Sequence, residues 1–274
     1  MLVHSYLTSG FVDMAKVFLQ SLLKVHGDDY PPAWLDTLGL STEQICVLNE
    51  CYPADALFIN NRRLSMDVWA KRAGISKAEL KGYKRECEQM YVTNRNRVWK
   101  LMTAGDDRVH RLFDMMRPND NLPDNEFLYA PHCIAHFDID TLFRKPLISI
   151  VEGMMEEADI WLKLRPNNTI IKARITIDCI LLRPTDGVVD FFDKWTSYIN
   201  RVKPAERPIG YGQTSCWLAF QDVCKKLKYK TLPLEFGLPG RNAKEDLIWT
   251  GNVHKLSKKD CAKLFRKEMK SWKL

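Results

Sequence analysis

The sequence predicts an α/β fold built on a mainly parallel sheet, and three observations carry that expectation. Strand, turn and helix signals alternate from the first residues onward, the pattern of strands joined by crossover helices. Apolar residues make up 46% of the 274, enough to fill one large core and too many for a disordered chain. Strand signals then return late in the sequence, after a long helical stretch, so that stretch reads as an insertion within one domain spanning residues 1–274.

The elements follow in order. Residues 2–8 (LVHSYLT) form a strand, Ser9-Gly10 a turn, and residues 12–25 a helix with Val12, Ala15, Phe18, Leu19, Leu22 and Leu23 along one face. Ala33 to Leu38 is the next strand, and Ser41-Thr42-Glu43-Gln44 is a capping box opening a helix to about Cys51. Ala54 to Ile59 gives a third strand. From Asn60 to Met116 helical periodicity takes over, which defines a basic helical insertion at 61–116. Strands resume at Phe127–Tyr129, Ile134–Phe137, Asp159–Leu164 and Ile170–Leu182, and a helix runs from about Gly187 to Ile199. A helix near Gln213–Lys226, a strand near Tyr229–Phe236, a Gly/Pro loop at 237–240, an apolar run at Leu247–Trp249 and a basic C-terminal helix complete the chain.

The net charge of +7 favours an anionic partner without identifying it. Eight cysteines are scattered with no Cys-x-x-Cys pair, which reads as reduced thiols in a cytoplasmic protein. Asp13 and Lys16 interrupt the first apolar stretch, so it is expected to be neither a signal peptide nor a membrane span. Oligomeric state is not legible.

The most informative stretch is Ala135-His136-Phe137-Asp138-Ile139-Asp140-Thr141-Leu142-Phe143, an apolar strand ending in two carboxylates two residues apart. On a continuing strand these would point to the same side, and hard oxygen ligands so placed suit Mg²⁺ or Mn²⁺ bridging a diphosphate. A rival reading takes His132, His136, Asp138 and Asp140 as alternating ligands on one face of a metal hydrolase. It leaves the rest of the chain unexplained.

In that wider context the sequence resembles the GT-A type of nucleotide-sugar glycosyltransferase. The ordered pieces are the first strand-turn-helix unit, Thr37-Leu38-Gly39-Leu40, the Asp-x-Asp with its Leu-Phe-Arg-Lys-Pro-Leu tail, and ITIDCILLRPTDGVVDFFDKW. Gly210-Tyr211-Gly212-Gln213 and Trp249-Thr250-Gly251-Asn252-Val253-His254-Lys255 follow. The resemblance implies that Asp138 and Asp140 hold Mn²⁺ or Mg²⁺ with His254 as third ligand, and that Lys255 faces the diphosphate. It implies that Tyr6, Thr8 and Ser9 receive the base and ribose, and that Arg95, Arg97 or Lys100 reach the phosphates. Asp178 is implied as acceptor base or sugar contact. Gln213 holds the place where the family has Asp-Gln, with Gly212 in place of the Asp. The donor it implies is a UDP-hexose.

Between Arg62 and Lys100 eleven basic residues (Arg62, Arg63, Lys71, Arg72, Lys77, Lys81, Lys84, Arg85, Arg95, Arg97, Lys100) face four acidic ones. The excess of seven equals the net charge of the whole chain, an electrostatic footprint for a polyanion. Residues 66–85 also resemble a helix-turn-helix, with Ala70, Gly74 and Leu80 at its small, turn and apolar positions and Ser76 to Arg85 as the helix presented to a groove. A helical hairpin shielding the sugar site is the rival. Joined together, these features predict a transferase whose acceptor is 5-hydroxymethylpyrimidine in DNA, as in phage enzymes, acting in the cytoplasm or, for a phage-encoded chain, the host cytoplasm. The alternatives are a transferase acting on a surface glycan or glycolipid, and a catalytically inactive DNA-binding protein on the same fold.

Overall fold

A computed structural model describes residues 1–62, 76, 133–202, 211–237, 245–250 and 258–271. Its elements in chain order are β1 (Leu2–Thr8), α1 (Val12–His26), β2 (Ala33–Leu38), α2 (Thr42–Asn49), β3 (Leu57–Arg62), β4 (Ile134–Phe137) and β5 (Thr141–Phe143). Then follow α3 (Ile148–Glu157), β6 (Ile160–Leu164), β7 (Ile175–Leu182), α4 (Asp186–Asn200), α5 (Tyr211–Val223), β8 (Tyr229–Thr231), β9 (Ile248–Thr250) and α6 (Lys258–Ser271). The helix-turn-helix reading of 66–85, apart from the exposed Ser76, and the rest of the insertion lie outside the described residues.

Seven strands form one sheet in the order β3-β2-β1-β4-β7-β6-β8. Every neighbouring pair is parallel except the two made by β7, which runs against β4 and β6. The expected mainly parallel α/β sheet is therefore the observed one. Side chains alternate along each strand, so each strand feeds two cores. Val3, Leu7, Leu35, Ala135 and Phe137 meet Phe18 and Leu22 of α1, Leu48 of α2 and Val151 of α3. Leu2, Trp34, Ile134, Ile180 and Leu182 meet Phe191 and Trp195 of α4 and Trp217 and Phe220 of α5. A separate antiparallel ribbon, β5 with β9, is covered by α1 and α6 through Met14, Leu142, Trp249 and Phe265.

The local signals explain most element boundaries. Ser41 accepts from the Gln44 amide at 3.2 Å while the Gln44 side chain accepts from Ser41 N at 3.0 Å, so the capping box forms as expected. The third strand is displaced from the expected 54–59 to Leu57–Arg62. Its polar end is tolerated because Asn60 donates to Asp36 at 2.8 Å, while Asn61 accepts from Thr37 Oγ1 and Leu40 N and donates to Leu40 O. The strand expected from Ile170 starts only at Ile175, since Ile171–Ala173 form a helical turn and the Asn168 side chain takes the Ile170 amide at 2.9 Å. The strand near Tyr229 stops at Thr231, ahead of Pro233 and a helical turn over Leu234–Phe236. Helix α3, absent from the sequence expectation, buries Val151 and Met155. No helix among the described residues is long and apolar enough to cross a membrane.

Candidate active site

Strand β1 has β2 on one side and β4 on the other, so the chain order reverses between β1 and β4. Open α/β sheets take their ligands in the crevice beyond the carboxyl ends of the strands at such a point. His4 pairs with His136 in register, the last matched pair before Tyr6 on β1 and the Asp138 turn after β4. Ser5 Oγ donates to the Phe137 carbonyl at 2.7 Å, tying the two strand ends together. The expected donor residues thus sit at this rim: Tyr6 is half-buried on β1, Thr8 ends the strand, and Ser9 is exposed in the following turn. Gln44 of α2 donates to the Ser9 carbonyl at 3.3 Å and so braces that turn.

The acidic pair does not stand on a strand. Strand β4 ends at Phe137, and Thr141 N donates to Asp138 O at 3.0 Å, closing a turn over 138–141. The strand-alternation argument for a shared face is corrected by this turn. The same turn ends the alternation on which the His132, His136, Asp138, Asp140 reading rests, since the strand stops at Phe137; His136 is buried, and His132 lies outside the described residues. Both carboxylates remain partly exposed on the turn.

Two further segments converge on the turn. The chain leaving Asp140 becomes β5, whose Thr141 faces Thr250, the last residue of β9. Helix α6 then begins next to Asp140: the buried Cys261 thiol is pushed up to about 12, chiefly by burial, with the Asp140 charge adding to the rise. His254 and Lys255 themselves lie outside the described residues, as do Arg63, Lys71, Arg72, Lys77, Lys81, Lys84, Arg85, Arg95, Arg97 and Lys100. Arg62 is the last residue of β3.

On the other side, Asp138 N donates to Asp178 O at 2.8 Å. Strand β7 breaks register here: Leu162 faces Ile180 but Lys163 faces Thr176, so the three residues Ile177 to Cys179 bulge out of the ladder. A bulge re-aims side chains, and such devices recur beside active sites. This one brings the Lys163 ammonium to 2.7 Å from Asp178 Oδ2, with Lys163 only 4% exposed. The other oxygen, Asp178 Oδ1, is buried with no hydrogen-bond partner among the described residues. Lys163 was missed in the sequence, although a lysine inside IWLKL is the one charged letter of an apolar strand. Gln213 lies in the first turn of α5, which packs on the bulge: a Cβ on the neighbouring Gly212 would stand 3.9 Å from Ile177 Cδ1. The Gly212 carbonyl accepts from Trp195 Nε1 at 3.1 Å, fixing that turn to α4.

The turn bearing Asp138 and Asp140 is thus held by its backbone to Asp178, which is paired with a buried lysine. These carboxylates are anionic oxygen donors, the chemistry that suits a hard divalent cation, and Asp178 Oδ1 is a buried acceptor without a partner among the described residues. Among the described residues no group of three His, Cys, Asp or Glu side chains stands together as a metal site, so a complete ligand set needs a group from elsewhere, water or substrate included.

No family model matches the chain, and neither does any curated protein. Solved structures do. The galactosyltransferase LgtC, solved with donor and acceptor sugar analogues, aligns over 97% of this chain and 96% of its own at a TM-score of 0.59 and 10% identity. Mouse xyloside xylosyltransferase 1 in its apo form aligns over 93% and 99% at 0.53 and 10% identity. The glycosyltransferase GlyE of Streptococcus pneumoniae aligns over 98% of this chain and 63% of its own, also at 0.53 and 10%. At such identities the likeness is one of fold: the chain has the GT-A-like fold of these transferases.

Proposed function

We propose that the chain is a glycosyltransferase that moves a hexose from a nucleotide diphosphate sugar, a UDP-hexose, to an acceptor hydroxyl with the help of Mn²⁺ or Mg²⁺. The observation that carries this is the meeting, at the β1/β4 switch point, of the acidic turn 138–141 with the Asp178 bulge and, through Thr141, with Thr250 at the end of β9. Asp138 and Asp140 would hold the cation, joined by His254. When bound, the cation neutralises charge growing on the diphosphate leaving group.

The chain's own groups divide the remaining work. Tyr6, Thr8 and Ser9 at the end of β1 receive the base and ribose. Lys255, with Arg95, Arg97 or Lys100, meets the phosphates as a preformed set of positive charges. Asp178 and Lys163 offer an acceptor oxygen and ammonium hydrogens side by side, the complement of a sugar hydroxyl that both donates and accepts. Gln213 on the first turn of α5 contacts sugar or acceptor next to them.

The basic excess between Arg62 and Lys100 favours a polyanionic acceptor, DNA bearing 5-hydroxymethylpyrimidines, whose target base would be flipped out of the stack. One panel tests both levels: nucleotide sugars with Mn²⁺, scored for nucleoside diphosphate release with and without hydroxymethylated DNA over a range of salt. A UDP-hexose that turns over faster with DNA, with binding that falls steeply in salt and a slope flattened in Lys77→Ala/Lys81→Ala/Lys84→Ala/Arg85→Ala, is the expected result. Turnover unaffected by DNA, or salt-independent binding, assigns the acceptor to a glycan or glycolipid. Release from no donor removes the transferase reading and leaves a non-catalytic DNA-binding protein on this fold.

A further inference from the structure

The connection from β6 to β7 emerges at the same edge of the sheet as the acidic turn. Strands β4 and β6 both run against β7, and Ile180 of β7 has His136 on one side and Leu162 on the other, so β4 and β6 are level and end on the same side. Two strand spacings, about 10 Å, separate them. Residues 165–174 (RPNNTIIKAR) then carry the chain from Leu164 back to Ile175. This tip is braced by its own hydrogen bonds: Arg165 N donates to Arg174 O at 2.6 Å, Ala173 N to Ile170 O at 2.9 Å, and Arg174 Nε to Asn168 O at 2.7 Å. The Arg174 guanidinium also lies 5.6 Å from the Trp217 ring centroid, which anchors the tip to α5.

On this braced tip stand Ile170 and Ile171, 55% and 46% exposed. Single exposed apolar residues are ordinary on a protein surface. Here two are adjacent at a helical turn that fixes their backbone, and they are the only neighbouring pair of large exposed apolar residues among the described residues. Their frame is cationic: Arg165, Lys172 and Arg174 lie within residues 165–174, and no Asp or Glu does. Asn167 and Thr169 are exposed beside them. Apolar bulk in a cationic frame complements a polyanion with an apolar interior, and a duplex, with stacked bases inside a phosphate backbone, is such a partner. Two side chains framed by Asn and Thr match a single base step. They are too few for the broad apolar face with which a segment lies in a membrane.

We propose that Ile170 and Ile171 are the wedge of a base-flipping site: they enter the duplex stack beside the target and hold open the gap its base leaves, while that base reaches the crevice at the acidic turn. An acceptor hydroxyl on a base has to leave the stack to be reached, and the opening carries a cost that the wedge offsets with apolar contact to the flanking bases. Arg165, Lys172 and Arg174 meet the phosphates next to the gap. This inference rests on the reading of DNA as the acceptor made above.

The test uses the full chain and a duplex carrying one 5-hydroxymethylcytosine with 2-aminopurine as its neighbour in the stack, a base whose fluorescence rises when stacking is lost. The parent should raise that fluorescence with no sugar donor present. Ile170→Ser/Ile171→Ser should abolish the rise and slow transfer to the paired target about 10- to 100-fold, the scale set by opening one base step. Unpairing costs least at a mismatch, so the same variant should modify a mismatched target at close to the parent's rate. Ile170→Leu/Ile171→Leu keeps the apolar bulk and should flip as the parent does. Both positions are exposed, and melting temperatures matching the parent's establish that the variants are folded. Flipping and transfer by the serine variant at the parent's level overturn the wedge and leave DNA as the acceptor. An equal loss on paired and mismatched targets also overturns it, by making the tip a general docking contact. A parent that neither binds nor modifies the duplex removes the DNA reading and this inference with it; if that parent instead binds phosphatidylglycerol vesicles, and the serine variant binds them less, the tip is a membrane contact.

Discussion

Two buried polar assemblies flank Asp138, and they solve the problem of burial differently. On the β1–β4 side lies a row of hydrogen bonds: the Asp36 carboxylate accepts from the Asn60 amide and the His4 imidazole, and His4 is in turn hydrogen-bonded to His136. On the β7–β6 side, Asp178 and Lys163 form a buried ion pair that leaves Asp178 Oδ1 without a partner among the described residues. The first assembly sits in regular strands and reinforces their register. The second needs a bulge to exist at all. The contrast teaches that the row meets its hydrogen-bonding needs within regular strands, whereas the pair keeps an acceptor oxygen unused among the described residues.

The comparison makes graded predictions. Lys163→Met should cost about 3–5 kcal/mol in urea unfolding, since it strands the Asp178 charge in a site with little access to water. A loss below about 1 kcal/mol would show the pair to be solvated, at the exposed-pair level, and erase the contrast. On the other side, Asn60→Ala removes one neutral donor from a carboxylate that keeps His4, and should cost about 1–2 kcal/mol. If Asn60→Ala were as damaging as Lys163→Met, the row and not the pair would be the more highly charged assembly.

Away from both regions, Ser41→Ala breaks the capping box of α2 and should cost about 1 kcal/mol, giving the scale of an ordinary exposed cap. The smallest effect concerns His26, whose Nε2 accepts from Leu147 N at 3.2 Å. Burial lowers its pKa below the ordinary 6.5 against the opposing pull of Asp29. The unfolded chain then binds the proton more readily, so this contribution is complete above about pH 6.5 and is lost as pH falls through the folded value. His26→Gln should flatten that acid-side slope in thermal melts, while an unchanged slope would assign it to other groups.

The sequence made the strand-helix alternation legible because apolar spacing is local, and the acidic strand end stood out as two carboxylates after an apolar run. The turn at 138–141 was not legible, since a strand can continue through Asp-Ile-Asp just as well and only the Thr141 to Asp138 hydrogen bond decides. His4, Asp36 and Lys163 were visible as polar letters in apolar strands, but their partners depend on register across the sheet. The Lys163 to Asp178 meeting depends on a bulge, which leaves no periodic trace. Proline breaks were under-read: Pro233 ended β8 early, whereas helix α3 was passed over because it is short and follows the Asp-x-Asp tail directly.

The central claim is that Asp138 and Asp140 bind the cation on which sugar transfer depends. It is met most directly by measuring UDP release from a UDP-hexose by the parent in Mn²⁺, by the parent in excess chelator, and by Asp138→Asn and Asp140→Asn in Mn²⁺, with melting temperatures recorded alongside. The amide lacks the anionic oxygen that a hard cation needs. The account predicts release by the parent in Mn²⁺ alone, with both variants inactive and still folded. Full activity in chelator, or in either folded variant, would contradict it.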